Sequence, residues 1–84
     1  MTPEAIRAIL VAALGGIAPE ADISRLDPKA NLREELDIDS LDFLNMVIAL
    51  HERLKIDIPE RDYRRLFTLD GAIEYLVEKT TPKA

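Results

Sequence analysis

The sequence predicts an all-α fold: a small four-helix bundle with three main helices, one short helix and a long ordered loop between the first two main helices. Three observations carry that prediction. Apolar residues recur at helical spacing in three stretches, and no stretch shows the strict alternation that a half-buried strand requires. Each of these stretches opens on a residue type that caps helices: Thr2, Asp39 or Ser40, and Thr68. The chain has 84 residues, the size of one domain, so residues 1–84 are expected to share one core.

The first helix is expected over about residues 3–14. Thr2 supplies the N-cap, and Pro3 lacks an N–H that would be unpaired there anyway. Glu4 places an acid at the positive end of the helix dipole. Ile6, Ile9, Leu10, Ala13 and Leu14 line one face, and Gly15-Gly16 is expected to stop the helix.

Residues 15–38 hold Pro19, Pro28 and Asn31 and no sustained period. Ile17, Ile23, Leu26, Leu32, Leu36 and Ile38 recur through them, more aliphatics than a disordered linker carries. The stretch therefore reads as an ordered loop pinned to the core, with a short turn of helix near 29–35.

A second main helix follows at about 40–54. With Asp39 as N-cap, Asp42 falls at the third helical position, where its carboxylate can reach back to free backbone N–H groups. Leu41, Leu44, Val47, Ile48 and Leu54 form its main apolar stripe, widened by Phe43, Met46 and Leu50. Ile56-Asp57-Ile58-Pro59 breaks it. Residues 60–66 suit one or two helical turns. Thr68 then caps a last helix at about 69–79, with Asp70 in its first turn, Ile73, Leu76 and Val77 on its apolar face, and Pro82 past its end.

Composition excludes several functions. Lys plus Arg number 11 and Asp plus Glu 16, a net charge of −5, which repels nucleic-acid phosphates and favours partners with basic patches. There is no cysteine, hence no disulfide framework, Cys-based zinc site or cysteine nucleophile. A single histidine, His51, leaves little for a metal site. No apolar run approaches the roughly 20 residues of a membrane span. The start lacks the basic region of a secretory signal, so a cytoplasmic protein is expected. A domain this small has little room for a deep enzyme cleft, which favours carrying or binding over catalysis.

The charge is unevenly placed. Residues 20–42 hold eight acids (Glu20, Asp22, Asp27, Glu34, Glu35, Asp37, Asp39, Asp42) against Arg25, Lys29 and Arg33, a net of −5 in that segment alone. Residues 43–66 are slightly basic.

Little catalytic chemistry is available. Ser40 and His51 lie eleven residues apart on one predicted helix, roughly 16 Å at helical rise, so they form no nucleophile–base pair. His51 reads as a helix-surface residue. The acids of 34–42 lack the fixed acids and the glycine of an EF-hand loop, which leaves calcium a weak prospect. The helix after Ser40 carries Asp42, Glu52 and Arg53, the wrong charge for a DNA-recognition helix.

Asp39-Ser40-Leu41 remains. By itself the tripeptide is a helix cap followed by a core leucine. In context it sits within Leu32-x-x-x-Leu36-x-x-Asp39-Ser40-Leu41-Asp42, followed by Leu54-x-Ile56-x-Ile58-Pro59, Thr68 and Ala72-Ile73-x-Tyr75-Leu76. That order and spacing resembles the acyl carrier proteins over about residues 3–79.

The resemblance implies a non-catalytic carrier. Ser40 would bear 4′-phosphopantetheine, donated by coenzyme A through a phosphopantetheinyl transferase, with acyl groups held as thioesters on the arm's thiol. It implies a role in fatty-acid, lipid or polyketide-type biosynthesis, with acyl-transferring and condensing enzymes as partners. By the same resemblance Asp39, Leu41 and Asp42 flank the modified serine in transferase recognition, and Met46 matches a partner-contacting position. Core packing is the alternative for Leu41 and Met46. The bundle core would shelter part of an acyl chain.

Two departures stand out. Family members often place Gly-Ala or a similar small pair before Asp-Ser-Leu, where this chain has Asp37-Ile38. Many fatty-acid carriers are acidic along the matching helices, where this chain has Asn45, His51, Arg53, Arg61, Arg64 and Arg65. Charged rims set partner choice, so the chain is expected to be a specialised carrier serving a dedicated pathway. A peptidyl carrier and a helical interaction module without a prosthetic group are the alternatives. With no surplus apolar stripe evident, a monomer is expected.

Overall fold

Thr2 caps the first helix through its Oγ1, which accepts from the Ala5 N–H at 3.2 Å. A computed structural model describes residues 2–81. Its elements are α1 (Pro3–Ile17), a 3-10 turn (Ile23–Arg25), α2 (Leu32–Glu35), α3 (Ser40–Leu54), a 3-10 segment (Glu60–Leu66) and α4 (Leu69–Thr80). No strand forms among the described residues; an isolated bridge joins Asn31 and Thr68. The all-α bundle expected from the sequence is the fold observed. Pro82 lies outside the described residues.

One expected boundary is corrected. α1 runs through Gly15 and Gly16 to Ile17, and Ala18 closes it with its N–H on the Leu14 carbonyl at 2.8 Å. A glycine stops a helix by taking a left-handed conformation, and no described glycine has positive φ. The left-handed positions fall instead on Lys55 (φ 54°), which caps α3, and on Asp37 (φ 52°).

The core gathers one face of each helix. Ile6, Leu10 and Leu14 of α1, Leu32 of α2, Met46 and Leu50 of α3, Leu66, and Leu69 and Leu76 of α4 are essentially inaccessible to solvent. Each such side chain contributes about 1.5–3 kcal/mol relative to exposure. α1 packs on α3 and α4, and α4 on the 3-10 segment.

The long loop is ordered, as expected. Ile23, Leu32 and Ile38 are buried, and Ile17, Leu26 and Leu36 pack against the core. Backbone bonds fix its second half: the Leu32 N–H donates to the Phe67 carbonyl at 2.7 Å, and the Asp70 N–H to the Pro28 carbonyl at 3.0 Å. Asn31 caps α2 by accepting from the Arg33 N–H at 2.9 Å.

The faces of α3 differ from the sequence expectation. Phe43, Met46, Val47 and Leu50 are the buried set, while Leu41 (65%), Leu44 (39%) and Ile48 (44%) are exposed. Leucines lie on both sides of this helix, and packing against α1 selects the 43-46-47-50 face. An apolar stripe, Leu41-Leu44-Ile48, therefore does remain uncovered on this chain, contrary to the expectation.

Candidate functional site

Ser40 is the first residue of α3, not its cap. Asp39 is the cap: its Oδ1 accepts from the Asp42 N–H at 2.8 Å, and Asp42 Oδ2 reaches back to the Asp39 N–H at 3.5 Å. The local sequence dictates this, because two acids three residues apart satisfy the helix's free N–H groups reciprocally and complement its dipole. Ser40 is thereby left with no structural duty at the helix start, and it is exposed.

Among the described residues, the Ser40 hydroxyl has one side-chain partner. Arg33 Nη2 donates to Ser40 Oγ at 2.9 Å. Arg33 was not singled out by the sequence, since it lies seven residues away and meets Ser40 only because α2 and the turn at Asp37 fold the loop back. The Ile38 N–H donates to the Arg33 carbonyl at 3.1 Å across that turn. A base inside the most acidic stretch of the chain is the signal that could have found it.

Asp39, Ser40, Leu41 and Asp42 thus come together on the first turn of α3, with Leu41 largely exposed rather than packed. Met46 does not join them. It is fully buried and offers no surface to a partner, so its place as a partner-contact residue is corrected to a core role. His51 is exposed at the far end of α3, its Nδ1 2.5 Å from the Ile56 carbonyl oxygen.

An open cleft of about 400 Å³ adjoins Ser40, lined by Arg33, Phe43, Leu44, Glu60, Tyr63 and Phe67. Its floor is a cluster of edge-to-face rings, with Phe43 5.4 Å from Phe67 and 5.9 Å from Tyr63 between centroids. An exposed hydroxyl beside a guanidinium and at a helix N-terminus fits a phosphodiester, and the apolar floor fits an uncharged arm. Among the described residues, no group of three or more His, Cys, Asp or Glu side chains is placed to hold a metal ion. Among the described residues, no helix is long and apolar enough to cross a membrane.

Comparison with known proteins identifies the family. The family described as "Phosphopantetheine attachment site" matches residues 4–76. An acyl carrier protein of Rubrobacter xylanophilus is 35% identical over 60 residues, covering 71% of this chain and 74% of that one. Acyl carrier protein 2, mitochondrial, of Arabidopsis thaliana is 31% identical over 64 residues, 76% of this chain and 51% of that one. A solution structure assigned to an acyl carrier protein of Anaplasma phagocytophilum superposes with a TM-score of 0.82 at 27% identity, covering 99% of this chain and 97% of that one. Such proteins carry rather than catalyse, on a covalently attached 4′-phosphopantetheine, and with the helical bundle and the Asp39–Asp42 turn on the same chain this protein belongs to the acyl carrier protein family.

Proposed function

We propose that Ser40 is the residue that bears 4′-phosphopantetheine, and that the chain carries acyl intermediates for a dedicated biosynthetic pathway. The observation that carries this is the exposed Ser40 hydroxyl on the first turn of a helix capped by its neighbour, with a guanidinium 2.9 Å away. The phosphopantetheine arm, when attached, supplies the thiol that forms the acyl thioester; the chain has no cysteine of its own.

Attachment forms the Ser40 Oγ–P bond as the phosphoanhydride P–O bond of coenzyme A breaks, and adenosine 3′,5′-bisphosphate leaves. The serine proton passes to a base of the transferase, which this chain need not supply. Asp39 and Asp42 present the negative charge that a basic transferase surface would meet, and exposed Leu41 supplies an apolar contact beside them.

The dedicated pathway rests on α3. From Phe43 to Leu50 it carries no charged residue, and its exposed stripe is Leu44 and Ile48 beside Asn45. Such a face favours partners with a complementary apolar groove over ones that read a row of acids. We place the carrier in the cytoplasm with its partner enzymes, in keeping with a bacterial relative; the plant relative is named as mitochondrial.

Incubation with coenzyme A and a broad-specificity phosphopantetheinyl transferase should add the mass of one arm, and Ser40→Ala should abolish the gain. No gain on folded wild-type protein with an active transferase would exclude this function.

A further inference from the structure

Among the described residues, Arg33 has no carboxylate partner, although it lies in the most acidic part of the chain. Residues 20–42 carry a net charge of −5. Among the described residues the ion pairs are Arg25–Asp22, His51–Asp57 and Arg65–Glu78, and none includes Arg33. Its guanidinium donates to a neutral acceptor, Ser40 Oγ, at 2.9 Å. Half-buried Arg33 is also held at its backbone, its N–H on Asn31 Oδ1 at 2.9 Å and its carbonyl under the Ile38 N–H at 3.1 Å. Of the acids near it, Asp39 and Asp42 cap α3 through each other's N–H groups, and Glu34, Asp37 and Glu60 line the clefts that Arg33 borders without forming an ion pair with it.

We propose that Arg33 is a positioning residue that clamps the phosphodiester on Ser40. This rests on Ser40 being the attachment point. Once Oγ bears phosphorus, two non-bridging oxygens lie one bond further out, and a donor already 2.9 Å from Oγ reaches one of them by a small rotation of its fork. The bond from a charged donor to a neutral hydroxyl becomes one between opposite charges, the Arg–phosphate pairing that is shorter and stronger. A planar fork suits this better than an ammonium, because a second N–H can engage the same phosphate. The clamp fixes the root of the arm on the α2 side of α3, above the cleft floored by Phe43 and Phe67.

The test compares wild type with Arg33→Ala, Arg33→Gln and Arg33→Lys after loading with coenzyme A and a broad-specificity transferase, with loading confirmed by mass and folding by circular dichroism. The readouts are the ³¹P chemical shift and relaxation of the phosphodiester and the ¹⁵N–H signal of the Arg33 guanidinium. In wild type, loading should shift the guanidinium signal. The ³¹P relaxation should report an immobilised phosphate at low ionic strength that is released by added salt. Arg33→Ala and Arg33→Gln should show the released values at every salt concentration, and Arg33→Lys should restore part of the salt-dependent shift. Loaded wild type whose ³¹P signal matches Arg33→Ala and ignores salt overturns the clamp alone. Failure of wild type to gain mass overturns both the clamp and the attachment at Ser40. The salt titration of wild type decides the matter even if a variant fails to fold.

Discussion

Tyr75 on α4 donates its hydroxyl to Asp62 Oδ2 on the 3-10 segment across 2.7 Å, from a ring only 2% exposed. The bond ties the last helix to the segment that walls the cleft beside Ser40. Arg65 lies over the same ring, 4.9 Å from its centroid, and donates to Glu78 at 3.0 Å. Burial, then the bond to Asp62, pushes the Tyr75 phenol up to about 12 from its ordinary 10.

That shift predicts an alkaline limit. The folded-state value lies above the unfolded one, so the contribution is complete below pH about 10 and lost as pH rises through about 12. The loss is on the order of 2 kcal/mol. Urea unfolding followed by circular dichroism across this window should show stability falling. Tyr75→Phe should lose about 1 kcal/mol at neutral pH, for the missing hydrogen bond, and should flatten the alkaline decline. A variant that keeps the wild-type decline would assign it to another group.

The three glycines should respond to alanine in opposite directions. A Cβ at Gly15 or Gly16 meets no atom within 4 Å, and both lie inside α1. Gly15→Ala and Gly16→Ala should each stabilise by about 0.5–1 kcal/mol, because alanine loses less backbone entropy in a helix. A Cβ at Gly71 would sit 2.8 Å from the Arg65 carbonyl oxygen and 2.9 Å from Thr68 Oγ1, the oxygen that caps α4. Gly71→Ala should therefore destabilise, by about 1–3 kcal/mol for overpacking. Thermal melts of the three variants check the signs.

Lys55 and Asp37 occupy the conformation that glycine would, and their replacement tests it. Lys55 ends α3 at φ 54° and ψ 46°. Lys55→Gly should stabilise by up to about 1 kcal/mol, the relief of a side chain crowding the following carbonyl. Asp37→Gly should gain less, since aspartate tolerates the left-handed region better than lysine. Denaturant midpoints with unchanged slopes would confirm a native-state effect.

These positions show what the sequence made legible. Thr2, Asp39 and Thr68 were readable as caps because a cap acts within three residues, and the same locality put Asp39, Ser40 and Asp42 on one turn. The glycine pair misled because residue type alone does not specify the sign of φ; the chain spends its left-handed positions on Lys55 and Asp37. Asp37 also gives physical sense to the departure from the family's Gly-Ala pair, since it holds the turn such a glycine would make. The stripe of α3 was mis-ranked because Leu41, Leu44 and Ile48 share helical spacing with the truly buried residues, and only contact with α1 distinguishes the two faces. Arg33 escaped notice because its meeting with Ser40 depends on that left-handed turn.

Ser40→Ala and Asp39→Ala should separate capping from attachment. Asp39 accepts from the Asp42 N–H, so Asp39→Ala should cost about 1 kcal/mol of stability. Ser40 caps nothing and is exposed, so Ser40→Ala should change stability by no more than about 0.5 kcal/mol. Only Ser40→Ala should eliminate the mass gain with coenzyme A and transferase. A loss near that of Asp39→Ala in the serine variant would mean that Ser40 supports the helix start after all.

The two faces of α3 should separate stability from loading. Met46 is fully buried, and Met46→Ala should cost about 2–5 kcal/mol as the core loses a filled site. Leu41 is 65% exposed, so Leu41→Ala should leave the denaturant midpoint nearly unchanged. Its effect belongs on the transferase: the apolar side chain beside Ser40 is available to be covered, and its removal should raise the KM for the carrier several-fold with little change in kcat. Met46→Ala, assayed at a temperature where circular dichroism shows it folded, should load at close to the wild-type rate, because the truncated atoms never reach the surface. If Met46→Ala slowed loading of folded protein while Leu41→Ala did not, the transferase would be reading a conformation of α3 rotated from this one, with Met46 outward and Leu41 packed.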